Sequence, residues 1–317
     1  MVANDSFNDD PNLLEYTEIN IPRSVRFYIL LLFDIPSIAC SFVLLFHLLL
    51  IKTLRNQLIN HVMIILLLLG LYIQLIDVPL YLHFLRTNIV EPSIPSTCLI
   101  WWFIDYGLYS GCTIIMAWGS IQRYLLIFYD RFFITQRRRL IFHYLPFVIL
   151  LVYIFVFYLI AIVFPPCENV YNYRLPLCNE FPCYLNDTAL GTIDTIVNNI
   201  STTFMISLTS LILVVRVYYR KRRLHQVNIW RKQRKMTIQL LCNSILYIIP
   251  NIPFNILVFA RICGLSKSIG IQAELYADFA LYFVTFLYPF VCLASQSELR
   301  KKISLRRCRL TALVEPR

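Results

Sequence analysis

Residues 140–164 read LIFHYLPFVILLVYIFVFYLIAIVF. This run of 25 residues holds no Asp, Glu, Lys or Arg. A helical crossing of the hydrocarbon core of a bilayer needs about 20 mostly apolar residues. A closed barrel instead uses alternating segments of roughly ten residues, and this run is longer and continuous. It predicts a membrane-spanning helix. Six more stretches share the pattern: 27–51, 58–82, 96–127, 193–218, 236–262 and 271–294. Together they predict an all-α bundle of seven transmembrane helices.

The composition of the 317 residues agrees. Hydrophobic residues make up 58% and charged residues 15%, where a soluble domain carries about 25% charged. An aromatic content of 15% excludes a disordered chain. Ten cysteines are too dilute for a small disulfide scaffold. Before the first run, Asp5, Asp9, Asp10, Glu15 and Glu18 outnumber Arg23 and Arg26, and no signal peptide is read.

The net charge of +11 is unevenly placed. Lys52 and Arg55 follow the first run. Arg131, Arg137, Arg138 and Arg139 lie between the third and fourth, nine basic residues lie between Arg216 and Lys235, and seven more begin at Arg300. The opposite connections are nearly neutral or acidic. Positive residues favour the cytoplasmic side, so the N-terminus is expected outside and the C-terminus inside, which requires an odd number of crossings. The basic runs suit inner-leaflet lipid and an acidic cytoplasmic partner. Nucleic acid is not expected, because no soluble basic recognition surface is present. Cys98, Cys167, Cys178 and Cys183 fall on the expected outside face, and four cysteines permit three complete pairings. Asn4-Asp5-Ser6 and Asn186-Asp187-Thr188 are glycosylation sequons on the same side. Asn199-Ile200-Ser201 falls within the fifth run, where it would go unused.

Gln122-Arg123-Tyr124 closes the third run, and Cys98 stands 25 residues before Arg123. This pairing resembles the rhodopsin-like family of G-protein-coupled receptors. Its acid-Arg-Tyr triplet and the helix-three cysteine that bridges to the second outside loop share that separation. Pro79 and Asn60 match helix-two positions of the family. Leu287-Tyr288-Pro289-Phe290-Val291-Cys292 aligns with its Asn-Pro-x-x-Tyr motif, and Pro250 with the helix-six proline. Residues 298–303 look like the short amphipathic eighth helix. The likeness covers nearly the whole chain and divides it into a tail (1–26), a seven-helix domain (27–294) and a cytoplasmic end (295–317). Cys308 in that end is a candidate for palmitoylation or a free thiol.

The sequence also departs from the family. Gln122 replaces the acid that pairs with the arginine. Tyr288 and Cys292 replace the Asn and Tyr of the seventh-helix motif. Gly70 falls where a sodium-binding aspartate is usual. The fourth run lacks tryptophan, the fifth lacks proline, and no Trp stands two residues before Pro250 or Pro253.

The resemblance implies a receptor for an extracellular amine or peptide that activates a heterotrimeric G protein from the plasma membrane. Gln122, Arg123, Tyr124, Pro250, Tyr288, Pro289 and Cys292 would serve coupling and activation. Gln122, a neutral amide, would only hydrogen-bond to Arg123, giving weaker restraint and higher basal activity. Asp105 lies 18 residues before Arg123, roughly 27 Å along a helix. An ionisable residue at that depth faces a bundle interior or a pocket. In the family this position binds cationic amines. Tyr282, seven residues before Pro289, accompanies it, and Asp278 lies one turn further out. Trp101, Trp102 and Tyr106 add aromatic surface, and Ser201, Thr202, Thr203 and Ser207 add hydroxyls. The family bridge would join Cys98 to Cys178 or Cys183, and a second bridge would staple the loop into a lid.

No cofactor, metal set or enzyme motif is read. His61, His143 and His225 lack metal spacing, and no Gly-x-Ser-x-Gly or phosphate loop occurs. The competing reading is a polytopic transporter or a non-signalling seven-helix scaffold. No internal repeat or spaced set of intramembrane charges favours transport.

Overall fold

The computed structural model describes residues 19–129, 133, 135–178, 181–223, 227–266 and 269–295. The expected eighth helix, Asn4, His225 and Cys308 lie outside the described residues. Among the described residues, seven helices are long and apolar enough to cross a membrane: α1 Arg23–Leu50, α2 Leu58–Thr87, α3 Pro95–Phe128, α4 Gln136–Val163, α5 Leu190–Tyr219, α6 Leu241–Ile262 and α7 Ile271–Ala294. The chain is a multi-pass membrane protein with an all-α bundle.

The lipid-facing surface is visible in the exposure pattern. On α4, Val148, Val152 and Phe155 are each more than half exposed, one turn apart along a single face. Such a continuous apolar face suits hydrocarbon and not water. The centre of the bundle is built from α2 and α3. Val62, Met63, Leu66 and Leu67 of α2 meet Cys112, Ile115 and Met116 of α3 in one buried cluster.

The two helices approach closely at Gly119, where an added Cβ would stand 2.7 Å from Val62 Cγ1. Valine is short and stiff at χ1, so it cannot swing aside. Gly119→Leu should destabilise the bundle by about 1–3 kcal/mol through overpacking, with Gly119→Ala costing less. Thermal unfolding in detergent checks this ranking.

Helix ends differ from the hydrophobic runs for local reasons. The first helix begins at Arg23, before the apolar run, because Arg26 is buried with partners. Its guanidinium donates to Tyr81 Oη at 3.0 Å and to the Ile21 carbonyl at 3.1 Å. Asn60 donates to the Leu54 carbonyl at 2.8 Å and so fixes the short turn of helix at Lys52–Arg55 against α2. Pro250 and Pro253 sit inside a continuous helix that reaches back to Val227. Each removes one backbone hydrogen bond.

Five π-helical turns interrupt the crossing helices. Ile73–Asp77 lies in α2, Phe103–Leu108 in α3, Leu140–Tyr144 and Leu159–Val163 in α4, and Ile193–Ile200 in α5. A π-turn widens the helix and re-aims its side chains, and such turns gather at functional sites. Three of the five each carry one acid: Asp77, Asp105 and Asp194.

Candidate functional site

The connection between α4 and α5 is held by two disulfides. Cys98 at the start of α3 pairs with Cys178, and Cys167 pairs with Cys183. Of the two partners open to Cys98, the fold uses Cys178. Cys183 instead closes a loop on Cys167, which the sequence left without an assigned partner. Tyr184 in this loop is buried and donates to Asp194 Oδ2 at 3.1 Å. Burial and the nearby Asp194 charge hold its hydroxyl well above the usual range, so it stays a donor. Asp187 accepts from the amides of Ala189 and Leu190, both at 2.9 Å, and caps the start of α5. Asn186 beside it is exposed.

Beneath the loop lies a cavity of about 270 Å³. Phe181, Leu185 and Asn186 of the loop form part of its rim. Five acids line it: Asp77, Asp105, Asp194, Glu274 and Asp278. Arg261 is the single basic residue in the lining, and it forms an ion pair with Glu274.

The remaining acids differ in their partners. Asp194 is served by three donors: the Tyr158 hydroxyl, Asn198 Nδ2 at 2.9 Å and Tyr184. It joins α4, α5 and the loop into one unit. Asp77 is fully buried. Its Oδ1 accepts from Trp101 Nε1 at 2.6 Å and Tyr282 Oη at 3.4 Å, while Oδ2 has no hydrogen-bond partner among the described residues. Asp105 and Asp278 border the cavity with no hydrogen bond to a described residue. Asp278 and Tyr282 stand one turn apart on the same face of α7.

The cavity thus brings together Asp105, Tyr106, Asp278 and Tyr282. Trp101 corrects the expectation. It is completely buried beside Asp77 and does not line the cavity, because its indole N–H is used to satisfy that carboxylate. Trp102 is also buried, stacked on Tyr171 of the loop. The α5 hydroxyls do not reach the cavity either. Ser201, Thr202 and Ser207 donate to carbonyls one turn back in their own helix. Thr203 accepts from Asn255 Nδ2 at 2.9 Å, tying α5 to α6.

Sequence reading missed Asp77, Asp194 and the ion pair of Arg261 with Glu274. It also missed Tyr109 and Asn251, which line the cavity and bond at 2.9 Å from α3 to α6. Their signal was a polar residue inside an apolar run.

Deeper in the bundle, Gly70 faces Thr285 of α7, with an added Cβ 3.4 Å from Thr285 Cγ2. Gln74, one turn along α2, donates to Ser37 Oγ at 2.8 Å and the Thr285 carbonyl at 3.0 Å. Its amide thus ties α2 to α1 and α7 at this depth. The space left there is about 10 Å³.

At the opposite, basic end, Gln122 does not bond to Arg123. Its amide N–H donates to His143 Nδ1. His143 Nε2 meets His61 Nδ1 at 2.9 Å, and His61 Nε2 meets the Arg55 carbonyl at 2.8 Å. This order fixes the tautomers. His143 accepts at Nδ1 and donates from Nε2, and His61 accepts at Nδ1 and donates from Nε2. The imidazoles serve α2, α3 and α4 as a hydrogen-bond relay. No cluster of three or more His, Cys, Asp and Glu able to hold a metal ion occurs among the described residues.

Arg123 is buried, and all three guanidinium nitrogens lack a hydrogen-bond partner among the described residues. It stands within electrostatic reach of Tyr288 and Cys292 of α7. The ring of Tyr288 stands 6.3 Å from that of Tyr247 on α6. Tyr124 packs under the Arg216 guanidinium of α5 at 5.2 Å.

No protein-family model matches the chain, and no curated protein matches it in sequence. Among solved structures, the crystal structure of squid rhodopsin superposes with a TM-score of 0.70. The match covers 99% of this chain and 94% of that one, at 14% identity. At that identity the likeness speaks for the architecture alone: this chain has the seven-helix fold of squid rhodopsin.

Proposed function

We propose that the chain is a receptor that binds a positively charged extracellular ligand, an amine or a basic peptide, and activates a heterotrimeric G protein. The observation that carries this reading is the pairing of two features along α3. An acidic cavity containing Asp105 lies at the disulfide end. A buried arginine with no hydrogen-bond partner among the described residues lies at the basic end. The basic connections favour the cytoplasm for that end, and the disulfides favour the outside for the loop. Asp105 supplies the counter-charge for the ligand. The hydrogen bond that Asn251 Nδ2 donates to Tyr109 Oη links the cavity lining on α3 to α6 beside Pro250, where the helix has already lost a backbone hydrogen bond. A ligand that displaces Tyr109 moves α6, and Arg123 becomes available to the G protein.

Purified receptor, a panel of G proteins and a library of cationic ligands test the reading by nucleotide exchange. Exchange should rise with a ligand in the wild type and fall about a hundredfold in potency in Asp105→Asn, as expected for truncating one partner of a buried charge pair. Ion flux with no exchange from any G protein would overturn the receptor reading in favour of transport.

A further inference from the structure

The acids around the cavity are not equivalent, and their difference bears on the ligand. Asp194 has three donors of its own, and Glu274 has Arg261. These two are settled by the protein. Asp77, Asp105 and Asp278 are not. Asp77 is completely buried and keeps one oxygen without a partner, while Asp105 and Asp278 make no hydrogen bond to a described residue. The three come from α2, α3 and α7, and Asp105 lies within electrostatic reach of both others. Tyr282, a turn from Asp278, bonds to Asp77 and connects the set.

Unpartnered carboxylates in a low-dielectric site are costly unless a cation joins them. A single ammonium would answer one carboxylate and leave the rest facing each other. A metal ion would need three or more acidic or other ligating side chains gathered on one point. No such group occurs among the described residues, and acids on three separate helices suit a ligand whose positive charge is spread along its length. The volume of about 270 Å³ lies at the small end of ligand pockets. That favours a compact molecule over a peptide.

We infer that the cavity is built for a small organic dication, a linear diamine-type ligand whose two ammonium groups engage Asp105 and Asp278 separately, with the buried Asp77 oxygen between α2 and α7 reinforcing the field. The inference rests on the receptor reading for the role of the cavity, and deepens it by naming the ligand class. Its chemistry is separate from signalling.

The test is direct binding to purified full-length receptor with no G protein present. The probes are a series of α,ω-diaminoalkanes, the n-alkylamines of matching length, and magnesium chloride, read by calorimetry and by thermal unfolding. One diamine length should bind at least about tenfold more tightly than its matched monoamine, the equivalent of one further ion pair. Magnesium should have no effect at matched ionic strength. Asp278→Asn should bring the diamine down towards the monoamine level, with a smaller loss for the monoamine, whose single ammonium pairs with Asp105. Asp105→Asn should weaken both.

Cell-surface level and unfolding midpoint certify that each variant folds, and the comparison of probes on the wild type needs no variant. Equal binding of diamine and monoamine, binding of magnesium in place of either, or no binding by any amine would each overturn the inference. Diamine binding without nucleotide exchange would keep the inference and sink the receptor reading. Exchange driven equally by monoamines would do the reverse.

Discussion

Gln122→Glu is expected to lower ligand-free nucleotide exchange by about tenfold. Arg123 is buried with three guanidinium nitrogens unpartnered among the described residues. The neighbouring amide of Gln122 is turned away to His143. Nothing in this arrangement restrains the arginine by charge. A carboxylate at position 122 supplies a charge-assisted partner, and such hydrogen bonds contribute about 1.5–3 kcal/mol. Applied to an equilibrium between restrained and released states, the lower figure is about tenfold in population. The same substitution removes the donor to His143 Nδ1, so the relay to His61 is broken at its first bond. Gln122→Glu combined with His143→Phe separates the two effects, because it keeps the new acid and deletes the imidazole that could capture it. Basal exchange equal to wild type in both variants would sink the idea that the amide leaves Arg123 free.

The two ends of α3 thus depart from balance in opposite senses. At the disulfide end, carboxylates outnumber the cations beside them. At the basic end, a guanidinium has no counter-charge among the described residues. Each imbalance lowers the stability of the protein alone and is relieved by a partner of the complementary sign. On the receptor reading proposed above, a ligand and a G protein that bind such sites gain what the isolated fold forgoes. That is the thermodynamic condition for coupling, since a ligand shifts an equilibrium only through differential interaction with its states.

The seven crossings were legible because hydrocarbon imposes one rule on every segment, and a run such as residues 140–164 obeys it without help from neighbours. Cys98 and Asp105 were legible through their distance from Arg123 along a single helix. What depended on two helices was not. Trp101 reads as aromatic surface until Asp77, facing it from α2, claims its N–H. His61 and His143 are 82 residues apart and become neighbours only when α2 packs on α4. The π-turns leave no mark in composition, yet they decide where Asp77, Asp105 and Asp194 point. Asp77 and Asp194 did carry a signal, since each is an ionisable residue inside an apolar run. Their roles differ because Asp194 has three donors and Asp77 has too few.

Opening the two disulfides should have unlike consequences, and the larger loss is expected from Cys178→Ser. The bridge from Cys98 to Cys178 spans 80 residues, and both cysteines are fully buried. The bridge from Cys167 to Cys183 spans 16. Loop-closure entropy gives about 4.5 kcal/mol for the first and about 3 for the second. Helices that stay inserted restrict the unfolded chain and shrink the first figure toward the second. Burial restores the ranking, because cutting the first bridge unpins the start of α3 and leaves a polar serine in the cluster formed by Trp101, Trp102 and Tyr184. Cys178→Ser should therefore lower the unfolding midpoint and the amount of receptor at the cell surface. Cys167→Ser acts elsewhere. Its bridge holds the segment carrying Phe181 and Leu185, which roof the cavity, while Tyr184 still ties the loop to Asp194. Its effect should be faster ligand release at nearly unchanged stability, since a looser roof costs residence time more than folding. Thermal unfolding and dissociation kinetics measured on both variants decide the matter. If Cys167→Ser lowered the midpoint as much as Cys178→Ser, the division of labour between the two bridges would be wrong.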